Sequence, residues 1–262
     1  MIGSKDRYAL VTGASSGIGY ELAKLFSQDG KNIVVVARSQ DRLEKLKTEI
    51  ENKSGTKVIV LVKDLSKLDA PQEIFSELEK KNINVDVLVN NAGFSVYGKF
   101  AGTDWVQEAE ILQVNITSLT QLTKLFLKKM LENKSGKIMN VASGAAFTPL
   151  PLMSVYAATK AYVLHFSEAL ANEVAGTGVS VTCFCPAGTR SRFYERANAE
   201  DSKLAKGRLM DSARAARIGY VALKKGKVVT VAGISASVIC FAPRFAPRSL
   251  VTKISRSFIE RA

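Results

Sequence analysis

The chain has 262 residues, of which 47% are hydrophobic and 23% are charged, and its formal net charge is +13 at pH 7. This composition is ordinary for a globular protein with a sizeable core, and the length predicts a single α/β domain over residues 1–262. No segment approaches the roughly 18 unbroken apolar residues of a membrane-spanning helix, and no signal-peptide pattern is visible, so we expect a cytoplasmic location.

Short apolar runs alternate with amphipathic segments along the chain. Seven runs rich in β-branched residues predict buried strands at 8–11, 33–37, 58–62, 85–89, 137–141, 179–183 and 228–231. Between them, helical patterns cover 41–53, 71–81, 104–131 and 154–175. This alternation predicts an α/β fold, namely a Rossmann-like three-layer sandwich with a seven-stranded parallel sheet. Ligands bind such a sheet beyond the carboxyl ends of its strands.

A glycine turn, residues 12–19, follows the first strand directly, with glycines at 13, 17 and 19. Gly13 permits a tight turn, Gly17 lets the backbone approach a pyrophosphate, and Gly19 allows close packing of the next helix on the sheet. The N-terminus of that helix offers free N–H groups to the phosphates. The turn therefore predicts a dinucleotide site, and its candidate contacts are Gly13, Ser15, Ser16, Gly17, Ile18 and Gly19.

The end of the second strand indicates which dinucleotide binds. An NAD site usually carries an acidic residue there for the ribose 2′-hydroxyl, whereas this chain has Ala37 followed by Arg38. A guanidinium can bind a 2′-phosphate bidentately, so the sequence favours NADP over NAD. The alternative is that Arg38 is a solvent-facing loop residue.

Tyr156 and Lys160 are four residues apart in a predicted helix and therefore share one face of it. A nearby ammonium stabilises a phenolate, so this pair predicts a proton-transfer group. Ser143, at the end of the fifth strand, could hydrogen-bond a substrate oxygen, and the amide of Asn115 could fix a water. The apolar residues after Ser143, at 147, 149 and 150, are candidates for a substrate wall.

Together these motifs resemble the short-chain dehydrogenase/reductase family over roughly residues 5–193, and the resemblance extends to its branch of 3-ketoacyl and hydroxysteroid reductases. It implies hydride transfer between a nicotinamide dinucleotide and a carbonyl or alcohol, with Asn115, Ser143, Tyr156 and Lys160 as the catalytic residues. Lys160 would also hold the nicotinamide ribose. The remaining implied cofactor contacts are Asp64, Leu65, Asn91, Ala92 and Gly93. A homodimer or homotetramer is expected from the family.

One segment departs from the family pattern. After the sixth strand the family commonly has Pro-Gly and then a threonine that holds the carboxamide, whereas this chain reads Pro186-Ala187-Gly188-Thr189-Arg190-Ser191. Ser191 stands at the usual threonine position and keeps the hydroxyl. Pro186, Thr189 and Ser191 are therefore the candidates here, and either hydroxyl could hold the carboxamide.

The chain has three cysteines, at 183, 185 and 240, and this small, odd number does not suit a disulfide framework. It fits a reducing compartment better. Cys183 and Cys185 share one face of a predicted strand. The chain has a single histidine, so we predict no metal site and expect the cysteines to be buried apolar residues.

From Lys203 to Ala262 the chain has thirteen Lys or Arg residues and two acidic residues, a net of 13 − 2 = +11. This basic C-terminal segment is either a solvated face or a surface for an anionic partner. No aromatic-interleaved basic motif is present, so we predict no nucleic-acid partner. For this segment we favour a subunit contact or a substrate lid. The alternative is peripheral membrane contact through residues 239–241 and Phe245.

The sequence thus predicts an NADP-dependent enzyme acting on CH–OH groups of a lipid-like or acyl small molecule. The competing hypothesis is a catalytically silent dinucleotide-binding protein that senses the cofactor or docks a partner. Retention of Asn115, Ser143, Tyr156 and Lys160 together argues against it.

Overall fold

The computed structural model describes residues 7–261, apart from the side chains of residues 234 and 235. Seven strands form one parallel sheet in the order β3-β2-β1-β4-β5-β6-β7. The strands are β1 (Arg7–Thr12), β2 (Asn32–Ala37), β3 (Val58–Val62), β4 (Asn84–Asn90), β5 (Gly136–Val141), β6 (Val179–Cys185) and β7 (Val229–Val231). All seven predicted strands are confirmed.

Helices cover both faces of the sheet. Those that follow β1 to β5 are α1 (Gly17–Gln28), α2 (Gln40–Ser54), α3 (Ala70–Lys80), α4 (Trp105–Leu112), α5 (Leu119–Glu132) and α6 (Ser154–Glu173). Those that follow β6 and β7 are α7 (Phe193–Arg196), α8 (Lys203–Lys206), α9 (Ser212–Lys224), α10 (Ile234–Phe241) and α11 (Arg248–Ile259). None of the helices within residues 7–261 is both long enough and apolar enough to cross a bilayer.

Alternating side chains of each strand divide the core into two layers. In β1, Ala9 and Val11 pack with α1, α2 and α9 on one face, while Leu10 packs with α3, α5 and α6 on the other. This arrangement confirms the three-layer sandwich. The chain moves outward from β1 to β3 and then returns to β4 on the other side of β1. The resulting crevice, beyond the carboxyl ends of β1 and β4, is where open parallel sheets bind ligands.

The predicted helix over 104–131 is interrupted. A π-helical turn, Gln113–Ser118, separates α4 from α5, and such turns are frequent at functional sites. The two neighbouring cysteines are as expected, because Cys183 and Cys185 are buried and free, with their Sγ atoms 3.8 Å apart on one face of β6.

Candidate active site

A cavity of about 670 Å³ opens beyond the carboxyl ends of the central strands. All the site residues predicted from the sequence line it except Gly19 and Asn115, which lie behind its surface. The lining set comprises Gly13, Ser15, Ser16, Gly17, Ile18, Arg38, Asp64, Leu65, Asn91, Ala92, Gly93, Ser143, Tyr156, Lys160, Pro186, Thr189 and Ser191. The structure therefore gathers residues from seven separate parts of the chain into one cleft.

Close backbone contacts explain the glycines of the turn. Gly13 has a φ of +66°, and a Cβ added there would lie 2.9 Å from the Cα of Ala92. A Cβ added at Gly19 would lie 2.6 Å from the carbonyl oxygen of Gly13 and would also collide with the Asn91 amide. Since real Cβ atoms do not approach backbone so closely, only glycine fits at either position without a shift of the turn.

Hydrogen bonds lock the turn to the end of β4. The Thr12 hydroxyl donates to the carbonyl of Val89 at 3.2 Å and accepts from the N–H groups of Asn91 and Ala92, each at 3.0 Å. The Asn91 side-chain amide donates back to the carbonyl of Thr12 at 2.9 Å. Asn91 thus holds together the ends of β1 and β4, the two strands that flank the crevice.

The start of α1 suits a phosphate. Its N-cap residue, Ser16, makes no side-chain hydrogen bond to the helix, and its first turn contains no acidic residue. The positive end of the helix dipole therefore lies at the cleft without a carboxylate to neutralise it. With the glycine backbone beside it, this end of the cavity fits a pyrophosphate.

Arginines gather where the cavity meets the end of β2. Arg38 is half-exposed, with a guanidinium nitrogen 4.0 Å from a carboxylate oxygen of Asp64. Arg192 and Arg196 line the same cavity, and Arg192 pairs with Glu195 at 2.7 Å. Partial desolvation, together with the charges of Arg38, Arg192 and Arg42, lowers the pKa of Arg196, whose side chain keeps contact with solvent. This arginine cluster (Arg38, Arg42, Arg192 and Arg196) carries more positive charge than its acidic neighbours balance, as an anion site does.

The proton-transfer residues lie opposite the turn. Ser143 ends the extended segment after β5, and its hydroxyl accepts a hydrogen bond from the N–H of Ala145 at 3.1 Å. Tyr156 and Lys160 are both buried on α6. The Lys160 ammonium donates to the carbonyl of Val141 at 2.8 Å and lies 5.7 Å from the centre of the Tyr156 ring.

Burial dominates the electrostatics of this pair. It raises the pKa of Tyr156 to about 12, and a hydrogen bond with Ser143 acts in the opposite direction. Burial also lowers the pKa of Lys160 to about 8. In the ligand-free protein the phenol is therefore protonated at neutral pH, while the lysine loses its charge just above neutrality.

Asn115 lies in the π-helical turn and is completely buried. Its side-chain NH₂ donates to the carbonyl of Phe94 and to the hydroxyl of Thr159, each at 3.1 Å, and its oxygen accepts from the N–H of Phe94 at 3.3 Å. Asn115 thus fastens the segment after β4 to the helix that carries Tyr156. Its predicted role in fixing a water stays a prediction.

The two hydroxyls after β6 differ in their surroundings. Thr189 is buried, and its hydroxyl donates to the carbonyl of Ala187 at 2.8 Å. Ser191 is exposed, its hydroxyl accepts from the N–H of Phe193 at 3.3 Å, and its Cβ would touch a side chain at Gly17. Ser191 therefore lies directly across from the glycine turn.

Sequence reasoning named a substrate lid as one role of the C-terminal segment but did not identify the residues of that segment that line the cavity. The last two helices and the turn between them, Ala242–Phe245, contribute an apolar lining. These lining residues are Ala236, Ile239, Cys240, Ala242, Pro243, Ala246, Val251, Ile254, Ser255 and Phe258. Of the three residues expected to form a substrate wall, Leu150 lines the cavity, whereas Phe147 and Pro149 do not. The available signal was the three- and four-residue spacing of Val251, Ile254 and Phe258.

Known proteins share this architecture. The model of the short chain dehydrogenase family matches residues 7–202. A short chain dehydrogenase of Pseudocercospora fijiensis is 37% identical over 193 residues, covering 72% of this chain and 62% of the relative. The 17-beta-hydroxysteroid dehydrogenase type 3 of Mus musculus is 31% identical over 218 residues, covering 82% of this chain and 71% of the relative.

A solved structure of a short-chain dehydrogenase from Sphingobium yanoikuyae, in complex with NADPH, superposes with a TM-score of 0.83 at 29% identity. The match covers 93% of this chain and 94% of that one. The chain spans about three fifths of the length of several curated relatives that it matches, at 60–62%.

Proposed function

This chain belongs to the short chain dehydrogenase family, and we propose that it is an NADP-dependent oxidoreductase that interconverts a carbonyl and an alcohol. The observation that carries the proposal is the convergence of Ser143, Tyr156 and Lys160 on one cleft with the glycine turn. When bound, the dinucleotide supplies or accepts the hydride at its nicotinamide ring. The protein contributes binding, orientation and the movement of a proton.

Tyr156 is the proton donor of the reductive direction. Because burial holds its pKa at about 12, the phenol retains its proton at neutral pH, which is the form that a general acid needs. The Ser143 hydroxyl, which interacts with the same phenol, orients the substrate oxygen toward it. In the oxidative direction the phenolate accepts the proton from the alcohol.

Lys160 supports this transfer through its charge. Its ammonium lies beside the Tyr156 ring and close to the backbone of Gly93, where a Cβ would come within 3.3 Å of it. A charged lysine at this distance stabilises the phenolate that forms as the proton leaves, and its remaining N–H groups can hold ribose hydroxyls.

The preference for NADP is supported by the arginine cluster. A 2′-phosphate would bring negative charge to a place where the positive charges of four guanidiniums, from the residue after β2, from α2 and from the α7 region, repel one another. Ala37 leaves the end of β2 without the carboxylate that would repel a phosphate. The relative from Sphingobium yanoikuyae, whose structure holds NADPH, is consistent with this choice.

The substrate that we propose is an apolar, lipid-like ketone or alcohol, such as a steroid or an acyl compound. The C-terminal lining of the cavity consists mostly of aliphatic and aromatic side chains, and the Phe193 ring lies 5.1 Å from that of Tyr156. Such a wall binds apolar surface and leaves the carbonyl to meet Ser143 and Tyr156. The hydroxysteroid activity in the name of the mouse relative is consistent with a substrate of this class.

The test is a substrate screen with NADPH and NADH side by side, repeated with two tyrosine variants. Tyr156→Phe is expected to lower kcat by about 10²- to 10⁴-fold while NADPH still binds, because only the phenolic proton is lost. Tyr162→Phe is the matched control on the same helix, since its hydroxyl hydrogen-bonds Thr120 at 3.0 Å and the residue is not among those that line the cavity. Turnover that survives Tyr156→Phe contradicts the mechanism. NADPH binding without consumption across the panel favours the silent alternative.

A further inference from the structure

Four exposed apolar side chains of the C-terminal helices and their connecting turn do not belong to the cleft lining. Val238, Phe241, Phe245 and Leu250 are absent from the cavity lining, and all four are exposed. Phe245 is 91% exposed and Val238 65%. We call these four residues the outer apolar patch. Exposed apolar side chains that follow one another closely along two short helices and their connecting turn are typical of a surface that contacts another molecule.

Positive charge surrounds this patch. Arg244 and Arg248 lie within it in sequence, and the Arg244 guanidinium is 4.9 Å from the centre of the Phe241 ring. Neither arginine, nor Lys253, forms an ion pair with any residue in the described range 7–261. From residue 236 to residue 259 the sequence contains four Lys or Arg residues and no acidic residue.

The positive charge distinguishes between two partners that could cover the patch, a second copy of the chain and a lipid surface. A second copy of the chain, packed symmetrically on the patch, would bring the same arginines together in a protein that already carries +13. An anionic lipid surface has the opposite charge and also accepts apolar side chains at the boundary of its headgroups and acyl chains.

We propose that the outer apolar patch docks on an anionic lipid surface, with Phe245 inserted at the boundary between headgroups and acyl chains and Arg244 and Arg248 at the phosphate level. The geometry is that of an interfacial attachment, since the helices lie beside the bilayer and do not cross it. It differs from a substrate-lid role, which would fall to residues that line the cavity, such as Ile239, Ile254 and Phe258.

The two faces of α10 connect docking with the cleft. Val238 and Phe241 are exposed and lie outside the cavity lining, whereas Ile239 and Cys240 line the same cavity as Ser143. Docking would therefore place the apolar side of the cleft against the bilayer, where lipid-like ketones concentrate. This consequence rests on the proposed function, whereas the docking itself does not.

The test is cosedimentation of the full chain with vesicles of phosphatidylcholine alone or mixed with phosphatidylserine, at low and high salt. We expect binding only to the mixed vesicles and weaker binding at high salt. Phe245→Ser is expected to lower the partition coefficient about tenfold, because it removes an inserted ring. Arg244→Gln and Arg248→Gln are each expected to lower it about fivefold, since a basic residue near such a surface contributes about that factor.

Matched controls are Phe100→Ser, an exposed phenylalanine elsewhere, and Lys45→Gln and Lys80→Gln on α2 and α3. They should leave the partition coefficient unchanged, and NADPH binding should be equal in all variants as a check of folding. Equal binding to neutral vesicles, no binding at all, or equal effects of the controls would overturn the proposal. The proposal would also be overturned if the unmodified chain were an oligomer in sedimentation velocity and Phe245→Ser converted it into a monomer. Because the readout is lipid binding, it is independent of whether the chain reduces ketones.

Discussion

The cleft has two sides that are built in different ways. The nucleotide side, residues 12–19 and 91–93, consists of backbone held by hydrogen bonds, with glycines where a single methyl group would strike main chain. The C-terminal side, residues 236–258, consists of apolar side chains on short helices. A partly buried hydrogen bond, from the Ser255 hydroxyl to the carbonyl of Pro149 at 2.6 Å, ties it to the segment after β5, and the Cys240 thiol donates weakly to the carbonyl of Gly144 at 3.9 Å.

This difference separates two tasks. Phosphates need N–H groups at fixed positions, so the nucleotide side tolerates almost no change in shape. An apolar substrate needs surface that excludes water, and side chains on a loosely tied helix provide it in many combinations. Substitutions on the first side should therefore act in an all-or-none way on cofactor binding. Substitutions on the second should act gradually, and differently for different substrates.

The sharpest test on the nucleotide side is Gly19→Ala. The added methyl group would lie 2.6 Å from the carbonyl oxygen of Gly13, so the turn must shift and carry the phosphate contacts with it. We expect NADPH binding to weaken by at least about a hundredfold, which corresponds to the loss of two charge-assisted hydrogen bonds at about 1.5 kcal/mol each. Overpacking should also lower the free energy of unfolding by about 1–3 kcal/mol. Fluorescence titration and thermal unfolding measure the two effects.

Gly102→Ala is the control for this variant, because a Cβ at Gly102 meets no atom within 4 Å. It should leave both NADPH affinity and stability close to those of the unmodified protein. If Gly19→Ala bound NADPH as well as Gly102→Ala does, the nucleotide side would be as tolerant as the C-terminal side.

The second test concerns Lys160, which lies between the two sides. Because burial lowers its pKa to about 8, the free enzyme loses the ammonium as the pH rises through that value. If the charge is essential, kcat/KM for NADPH should fall about tenfold per pH unit above pH 8. A profile that stays flat to pH 10 would show that the lysine charge is not needed.

The same shift predicts how stability depends on pH. Between pH 8 and the ordinary lysine value of 10.5, the unfolded chain binds a proton at Lys160 that the folded chain does not. The free energy of unfolding should therefore rise with pH from this group, by about 2 kcal/mol between pH 8 and pH 10. Lys160→Met removes that contribution, so the difference between the two denaturation curves isolates it. Parallel curves at every pH would contradict the shift.

The third test compares the contributions of two members of the arginine cluster, Arg38 and Arg196, to NADPH affinity. Arg38→Gln should weaken NADPH binding by about 10- to 100-fold, as loss of a charge-assisted hydrogen bond does, and leave NADH binding unchanged. Arg196→Gln should weaken it only about two- to fivefold, because this arginine is exposed and solvent screens its charge. Arg214→Gln on α9 is the control. Equal losses of NADPH and NADH affinity would mean that these arginines do not bind the 2′-phosphate.

The residues of the nucleotide side could be predicted from the sequence more completely than those of the C-terminal side, for physical reasons. Buried parallel strands are continuous apolar runs, so β1 to β7 could be predicted locally. The π-helical turn at Asn115 depends on hydrogen bonds to Phe94, 21 residues away, which no periodicity reveals. In α10 apolar residues face both the cleft and the outside, so the helical period disappears, and prolines at 243 and 247 resemble loop signals.

The smallest effect is expected on the C-terminal side itself. Ile254 lines the cavity but is 48% exposed, so Ile254→Ala removes only part of an apolar contact. For a long apolar ketone, KM should rise about three- to tenfold with kcat unchanged, because the contact is equally strong in the ground state and the transition state. A short ketone that does not reach the helix should show no change, and Lys253→Ala, one residue away, should alter neither. A loss of kcat, or an equal loss for both ketones, would mean that α11 shapes the catalytic geometry as rigidly as the glycine turn shapes the phosphate site.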